Sequence, residues 1–339
     1  MVGIKEVAKA AGVSDRTVSR VVHSHKMVDA VTRANVTRII EELGYVPNRA
    51  ARLIRSNRSG VIGLMTDVVA TTPFSTDIVR GIQEAMEKTD YSLLTVNTGG
   101  DLERVHRSWQ RMRSYRVEGV IFVTMFERKL QAGELDPSVK TVLVNCYPDA
   151  NTLAPTIVPD EPAGITASVR AVLKEGHRKI GYVRINPEIM AAKIRERSLR
   201  RCLAENGITI NEKWFVAGLE GPVFGDRFVA FENARALLQA VDRPSALFCG
   251  NDEIALQVFC AATSLGLRVP QDLSIVGFDD FKVVTEVMRP QLSTVALPYF
   301  EMGNAAVKTI CSMLAGKEVS STSKVECKFV PRETIATYV

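Results

Sequence analysis

Polar or aromatic side chains follow most of the short apolar runs in the larger, C-terminal part of the chain. They are Phe74, Thr124, Asn145, Asn251 and Asp279. Amides, hydroxyls and carboxylates hydrogen-bond the hydroxyl groups of a small molecule, and an aromatic face stacks on its C–H groups. Taken singly, each residue is more typical of a turn or a helix cap. Taken together, they favour a binding site for a polyhydroxylated ligand.

A second set of functional side chains lies near the N-terminus. Arg16 and Arg20 can each donate two hydrogen bonds to a guanine edge, and Asp15 can accept one from a cytosine amino group. The hydroxyl side chains of the same segment suit phosphate oxygens, which fix register without reading sequence. They are Ser14, Thr17 and Ser19. This segment therefore has the chemistry to read double-stranded DNA.

The charge distribution supports this interpretation. Residues 1–60 contain eleven Lys and Arg residues against five Asp and Glu residues, whereas the whole 339-residue chain has a net charge of only +5. A basic segment attached to a nearly neutral remainder favours contact with a polyanion, because cations that neutralise phosphates release condensed counterions. A solvated basic face with no partner is the alternative.

Hydrophobic spacing predicts a helix-turn-helix in the basic segment. Apolar residues at positions 4, 7, 8 and 11 form one helical stripe, and Gly12 ends that helix. Ser14 is suited to cap a second helix, so only Gly12 and Val13 separate the two. Such a short turn forces a steep crossing, which directs the start of the second helix into the major groove.

A third helix is expected to complete this head. Asp29 can cap it, and Gly44 suits the left-handed position that follows a helix. Its expected buried residues are Val36, Ile39, Ile40 and Leu43.

Residues 48–56 could form one or two further helical turns, with Asn48 as the cap. So short a helix is unstable alone in water and would order only when docked. Leu53 and Ile54, next to Arg52, suit insertion into a minor groove, with either aliphatic side chain as the wedge. A plain interdomain linker is the alternative.

From Gly60 onward, short apolar runs alternate with amphipathic helical patterns. This alternation predicts parallel sheets flanked by helices, and the similar sequences GVIGLM and RKIGYV suggest a duplicated α/β unit. Ligands of open parallel sheets bind beyond the carboxyl ends of the strands. We therefore expect the polar residues that follow the runs to line one crevice.

Composition and motifs exclude several classes of protein. With 46% hydrophobic and 24% charged residues the chain is globular, and it has no signal-like or membrane-spanning apolar stretch, which predicts a cytoplasmic protein. No nucleophile, zinc or phosphate-loop motif is present, so we expect no enzyme, cofactor or metal. The six scattered cysteines are expected to be reduced. Asp279 and Asp280 could form an acid–base or metal pair, but adjacent residues at a strand end usually diverge.

The segments IKEVAKAAGVSDRTVSRVV and TRANVTRIIEELGYVPNRAARLIRS resemble the head and hinge of the lactose/galactose repressor (LacI/GalR) family of bacterial transcription regulators. The resemblance implies a homodimer on a pseudo-palindromic operator, with Asp15, Arg16 and Arg20 at base-reading positions and Ile54 at the position of the wedge. It also implies the fold class: an all-α helix-turn-helix head plus an α/β periplasmic-binding-protein-like core of two doubly wound parallel-sheet subdomains.

The resemblance further implies domain boundaries. The head would span residues 1–47, the hinge helix and linker 48–59, and the effector-binding and dimerisation core 60–339. Three crossovers near Pro159, Pro290 and Ser321 would divide the core into an N-subdomain (about 60–159 and 291–321) and a C-subdomain (about 160–290 and 322–339).

The family's effector positions correspond here to Phe74, Asn145, Asn251 and Asp279. Lys193 stands where the ungapped alignment places the arginine that grips the effector, and Arg195 and Arg197 are then expected to be solvated. These residues favour a carbohydrate effector, as a sugar, sugar phosphate or sugar acid. Because most members of the family are released from DNA by a sugar, the resemblance implies that the effector is an inducer. A sugar-binding protein and a sugar-converting α/β enzyme, each with an incidental helical head, are the alternatives.

Overall fold

The computed structural model describes residues 2–22, 27–45, 58–72, 75–149, 152–223 and 225–338. The chain divides into two units, Met1–Gly60 and Val61–Val339. The predicted hinge, with Asn48, Arg52, Leu53 and Ile54, and the predicted aromatic Phe74 lie outside the described residues. Within the described part of the chain, no helix combines the length and apolar character needed to cross a bilayer.

The first unit contains the three expected helices: α1 (Ile4–Ala11), α2 (Asp15–Val22) and α3 (Ala30–Leu43). Gly12 and Gly44 end α1 and α3 with φ of +66° and +60°, a conformation that glycine adopts without steric cost. The backbone amide of Thr17 donates to Ser14 Oγ, and that of Thr32 to Asp29 Oδ1, so both predicted caps are confirmed.

Apolar residues from all three helices form the core of the first unit, including Val7, Val18, Val36 and Ile39. The prediction that Leu43 is buried was wrong, because Leu43 lies in the last turn of α3 and is 38% exposed. Helical spacing places a residue on the right face, but a core this small does not extend under the last turn.

Six parallel strands form the sheet of the first subdomain of the second unit. They are β1 (Val61–Thr66), β2 (Ser92–Asn97), β3 (Gly119–Lys129), β4 (Thr141–Tyr147), β5 (Thr156–Asp160) and β13 (Thr322–Glu326), in the order β13-β5-β4-β3-β1-β2. Helices α4 (Thr76–Met86) and α11 (Tyr299–Leu314) pack on one face, and α5 (Leu102–Ser114) on the other. Because strand side chains alternate, both faces of this sheet are apolar.

The second subdomain has a sheet of its own. Its strands are β6 (Ile180–Arg184), β7 (Phe215–Ala217), β10 (Ala246–Cys249), β11 (Ser274–Asp279), β12 (Ser293–Ala296) and β14 (Lys328–Val330), in the order β14-β12-β11-β10-β6-β7. Only the β12–β14 pair is antiparallel. The helices of this subdomain are α6 (Glu161–Lys174), α7 (Met190–Glu205), α8 (Ala230–Gln239), α9 (Asp252–Ser264) and α10 (Lys282–Thr285). A short antiparallel ribbon pairs β8 (Leu219–Glu220) with β9 (Arg227–Phe228).

The expected fold class, a helical head followed by an α/β core with two mainly parallel sheets, is confirmed.

The chain passes between the two sheets three times, but two of the crossings lie later than predicted. The first follows β5, close to Pro159. The second was expected near Pro290, yet β12 pairs with β11 in the second sheet, so the chain crosses after Ala296. The third was expected at Ser321, yet β13 pairs with β5 in the first sheet, so it follows Glu326. Local sequence marks where strands are interrupted, and it does not determine which sheet the next strand joins.

Candidate functional site

A cavity of about 330 Å³ lies where the carboxyl ends of the strands of both subdomains meet. Its volume falls in the range of small-molecule sites, about 300–1,000 Å³. The first subdomain lines it with Ser75, Met125, Phe126, Glu127, Asn145, Pro159, Leu297 and Tyr299. The second subdomain and its ribbon supply Glu161, Ile185, Asn186, Ile189, Ala191, Arg195, Leu219, Val223, Asp226, Phe228, Asn251, Glu253 and Asp279. The expected crevice is therefore present, with apolar walls and a concentrated set of polar groups.

Asn145 lies in β4, two residues before its end, with a φ of +60°, and it lines this cavity, as predicted. Its side-chain amide donates to the carbonyl oxygens of Thr124 (3.1 Å) and Met125 (2.8 Å). Thr124 does not line the cavity. It is fully buried, and its hydroxyl donates to the carbonyl oxygens of Phe126 and Asn145. Thr124 therefore holds the ends of β3 and β4 in place, and its predicted contact with an effector is corrected.

Asn251 and Asp279 also line the cavity, as expected. Asn251 caps α9, because its Oδ1 accepts from the backbone amide of Ile254 at 2.8 Å. Asp279 ends β11, and burial raises its pKa to about 7, while the charge of Arg195 acts in the opposite direction. Each of these residues precedes an aspartate that has a structural role.

Those following aspartates, Asp252 and Asp280, point away from the cavity and make internal contacts. Asp252 accepts from Thr294 Oγ1 at 2.6 Å and from the backbone amide of Phe281 at 2.7 Å. Asp280 forms ion pairs of 2.7 Å with Lys282 and Arg332. Neighbouring residues at these strand ends thus diverge, and Asp279 and Asp280 do not form one acid–base pair.

The cationic residue of the cavity is Arg195, and the prediction of Lys193 was wrong. Lys193 is exposed and lines an adjoining cavity of about 450 Å³. Arg195 lines the first cavity, and only 6% of its side chain is exposed, so its expected role as a solvated helix charge was also wrong. Two residues correspond to about 200° of helical rotation, which carries a side chain to the other side of α7.

Protein groups surround the guanidinium of Arg195. Nη2 and Nε donate to Glu161 Oε1 at 2.7 and 3.2 Å, and Nη1 donates to the carbonyl oxygen of Gly250 at 2.5 Å. Nη1 also lies 3.3 Å from Asp279 Oδ1, and the guanidinium carbon lies 3.7 Å from the centre of the Phe278 ring. The charge of Arg195 is therefore balanced internally, and most of its donors are already used.

Two carboxylates that the sequence did not single out complete the site. Glu127, near the end of β3, is 4% exposed, and Glu161, the first residue of α6, is 2% exposed. Within the described part of the chain, Glu127 Oε2 and Glu161 Oε2 have no hydrogen-bond partner. Burial, and then the charge of Glu161, raise the pKa of Glu127 to about 7. A polar residue at the end of a long apolar run was the available signal for Glu127.

In the first unit, α2 carries the predicted DNA-contacting residues. Ser14, Asp15 and Arg16 are exposed at its start, and Thr17, Ser19 and Arg20 are half-buried. The backbone amide and hydroxyl of Thr17 both bond the Ser14 hydroxyl, so part of this hydroxyl set caps the helix. The buried face of α2 packs Val18 and Val21 into the core, which leaves Asp15 and Arg16 directed outward.

Both the head and most of the chain that forms the cavity match known protein families. Residues 3–48 match a family described as bacterial regulatory proteins of the lacI family, and residues 169–335 match a periplasmic binding protein-like domain. The chain is 32% identical to the ribose operon repressor of Haemophilus influenzae over 99% of both proteins. The chain belongs to the LacI family.

Solved structures of other LacI-family proteins agree. A transcriptional regulator from Rhizobium etli is 42% identical, with a TM-score of 0.79, over 82% of this chain and 100% of that one. The lac repressor dimer bound to operator and an anti-inducer is 25% identical, with a TM-score of 0.76, over 99% of both chains. This LacI-family chain is thus a DNA-binding transcriptional repressor with a small-molecule effector. The ribose operon repressor and the lac repressor are both named as transcriptional repressors.

Proposed function

We propose that the cavity between the two subdomains binds a hydroxylated small molecule, of the carbohydrate class, and that this binding controls the affinity of the head for an operator. The observation that carries the proposal is the convergence of polar groups from both subdomains on one cavity with apolar walls. Asn145 donates both amide hydrogens to backbone carbonyls, and Asn251 uses its Oδ1 to cap α9. The Oδ1 of Asn145 and the Nδ2 of Asn251 can therefore bond hydroxyl groups. Phe126 and Leu297 offer apolar surface.

The absence of Lys193 from the lining of this cavity bears on the charge of the effector. A sugar phosphate or sugar acid would need an available cation, and Arg195 is already balanced by Glu161 and Asp279. An anion would also meet the carboxylate of Glu127 in the same cavity. Between like charges a few ångströms apart in a poorly hydrated site, repulsion costs several kcal/mol. We therefore favour an effector without negative charge.

Operator reading is assigned to α2. Arg16 and Arg20 would contact guanine edges and Asp15 a cytosine amino group, with phosphate contacts from Ser14, Thr17 and Ser19. Asn48, Arg52, Leu53 and Ile54 would form the minor-groove contact. The functional form would be a homodimer on a pseudo-palindromic operator in the bacterial cytoplasm, as the lac repressor dimer on its operator suggests.

The proposed control follows from the position of the cavity. A ligand held by both subdomains changes the free energy of their closed arrangement relative to the open one, and only that difference in affinity shifts the DNA-binding equilibrium. We propose that the ligand releases the operator, which makes it an inducer.

Fluorescence anisotropy with DNA fragments from the chain's own locus tests this function. We expect a specific complex whose affinity falls continuously as salt is raised, with the logarithm of the association constant linear in the logarithm of the salt concentration. The Arg16→Ala and Arg20→Ala substitutions should each weaken the specific complex by about 1–3 kcal/mol and relax base preference at one position. Lys5→Ala, a matched loss of an exposed cation on α1, should weaken binding to all sequences equally. The absence of any sequence-specific complex would refute the proposal.

A further inference from the structure

The cavity contains more carboxylates than an uncharged effector would require. Its charged lining within the described chain consists of one cation, Arg195, and five carboxylates: Glu127, Glu161, Asp226, Glu253 and Asp279. Glu161 balances Arg195 in an ion pair of 2.7 Å, and Asp226 accepts from the amide of Asn186 at 2.9 Å. Carboxylates therefore outnumber cations around a cavity in which Glu127 and Glu161 are buried, and ionising buried carboxylates is costly unless a ligand offsets their charge.

Three of these carboxylates have an oxygen atom without a hydrogen-bond partner in the part of the chain that the structure describes. Glu127 Oε2 and Glu161 Oε2 are both buried and lack hydrogen-bond partners among the described residues. Asp279 Oδ1 also lacks one, although it lies 3.3 Å from Arg195 Nη1. Buried polar atoms are nearly always hydrogen-bonded in native proteins, so these oxygens mark places where a ligand supplies donors.

From these contacts we propose that the effector carries a protonated amine on a hydroxylated ring, as an amino sugar does. An ammonium group brings three donors, no acceptor and a positive charge, which is the complement of several carboxylate oxygens without partners. A hydroxyl group offers a single donor and no charge. The Oδ1 of Asn145 and the Nδ2 of Asn251 would then hold the ring hydroxyls. This inference rests on the proposed function and names the chemistry of its effector.

The geometry favours an organic cation over a metal ion. A calcium ion needs six to eight oxygen ligands at about 2.3–2.6 Å. Across the residues that the structure describes, no group of three or more His, Cys, Asp and Glu side chains could hold a metal ion. An ammonium group on a ring tolerates more widely spaced carboxylates, because each of its donors points in its own direction.

The charges also explain how such a ligand would control closure. Glu127 belongs to the first subdomain, whereas Glu161 and Asp279 belong to the second, and Glu127 and Glu161 repel each other. Without the ligand, this repulsion opposes approach of the two subdomains. A cation between the carboxylates turns it into attraction, so the ligand binds the closed arrangement more tightly than the open one.

Matched ligands test the charge of the effector. D-glucosamine, D-galactosamine and D-mannosamine would each be compared with the parent sugar and the N-acetyl derivative. Thermal shift and calorimetry would use the full chain in an amine-free buffer at pH 7.4 and constant ionic strength. We expect at least one amino sugar to bind tenfold or more tightly than both of its neutral counterparts. Equal or tighter binding of the neutral partners, or no binding by any amino sugar, overturns the inference.

The Glu127→Gln substitution tests the contact itself. Affinity for the amino sugar should fall about 10- to 100-fold, the range for a lost charge-assisted hydrogen bond, while any affinity for the parent sugar should change less than threefold. Glu318→Gln, the same change at an exposed site outside the cavity lining, is the control. An equal loss for both ligands would show that Glu127 merely shapes the cavity, and would refute the assigned contact.

The operator assay separates this inference from the proposed function, because it needs no effector. If a neutral sugar binds the cavity more tightly than its amino sugar and releases the operator, the proposed control is supported and the proposal of a protonated amine is refuted. A chain without a specific operator complex would refute the proposed function, whatever the ligand series shows.

Discussion

Replacing Glu127 with Gln should stabilise the ligand-free protein at alkaline pH and slightly destabilise it under acidic conditions. Burial raises the pKa of Glu127 from 4.5 to about 7, so between these values the folded chain retains a proton that the unfolded chain has lost. The free energy of unfolding therefore falls as pH rises through this interval, and above about pH 7 the full cost of the buried charge remains. Gln has nearly the same shape and no charge, which removes that cost.

The magnitude follows from the same two pKa values. The interval from 4.5 to about 7 corresponds to about 3 kcal/mol, at 1.36 kcal/mol per pH unit. The amide of Gln leaves polar hydrogens in the buried site, at a cost of about 1 kcal/mol. We therefore expect Glu127→Gln to raise the free energy of unfolding by about 2 kcal/mol at pH 8, and to lower it by about 0.5 kcal/mol at pH 4.5, where the cost of the amide slightly exceeds the small remaining charge effect.

Urea denaturation followed by tryptophan fluorescence measures this difference where it arises. The chain has two tryptophans: Trp109 lies on the buried face of α5 in the first subdomain, whereas Trp214 belongs to the second. A Trp214→Phe background leaves Trp109 as the reporter of the subdomain that contains Glu127. Glu161, Tyr147, Arg195 and Lys324 face Glu127 and remain unchanged in both proteins.

The comparison is between two variants, so titration of other groups cancels. Asp279 also has a pKa near 7 and contributes a similar pH dependence to both proteins. If Glu127→Gln and its parent lose stability in parallel from pH 4.5 to 8, Glu127 does not hold an extra proton in the folded state. The physical account of the acidic cavity would then be refuted. Glu318→Gln should show no change at either pH.

Three further predictions concern packing, ion pairing and capping. Arg195→Ala leaves the buried carboxylate of Glu161 without its cation, so the second subdomain should lose about 3–5 kcal/mol of stability in urea; a loss below 1 kcal/mol would contradict the internal balance described above. Gly81→Ala places a Cβ 2.2 Å from the carbonyl oxygen of Phe300, where α4 crosses α11. The first subdomain should therefore lose about 1–3 kcal/mol of stability in urea. An unchanged midpoint of urea unfolding would argue against this close crossing. Asp29→Ala removes the cap of α3, so the free energy of unfolding of the head should fall by about 1 kcal/mol. Thermal melts followed by circular dichroism would compare residues 1–60 with and without the substitution. Equal melting curves would show that the cap is dispensable.

The sequence predicted the head well because the head depends on local rules. A helical stripe needs only the spacing of its apolar residues, and the caps Ser14 and Asp29 bond amides three residues away. Gly12 and Gly44 end helices through their own backbone freedom. The exception was Leu43, whose exposure depends on how far the core extends.

The cavity was predicted in part. Asn145, Asn251 and Asp279 come after the apolar runs of β4, β10 and β11, and parallel strands of one sheet bring their carboxyl ends to a common edge. Glu161 follows β5, a strand that contains Pro159 and has no continuous apolar run. For α7 the alignment chose the wrong position, since Lys193 and Arg195 are equally plausible until the helix is packed.

What the sequence alone determined is the set of elements and the residues available at their ends, because hydrogen bonding and hydrophobic spacing within a few residues decide both. What only the tertiary structure decided is which groups meet: the sheet that β12 and β13 join, the side of α7 that faces the cavity, and the proximity of Glu127 to Glu161. Those pairings join positions far apart in the chain. The burial that raises the pKa of Glu127, and leaves its Oε2 without a partner among the described residues, arises only when both subdomains are folded around the same cavity.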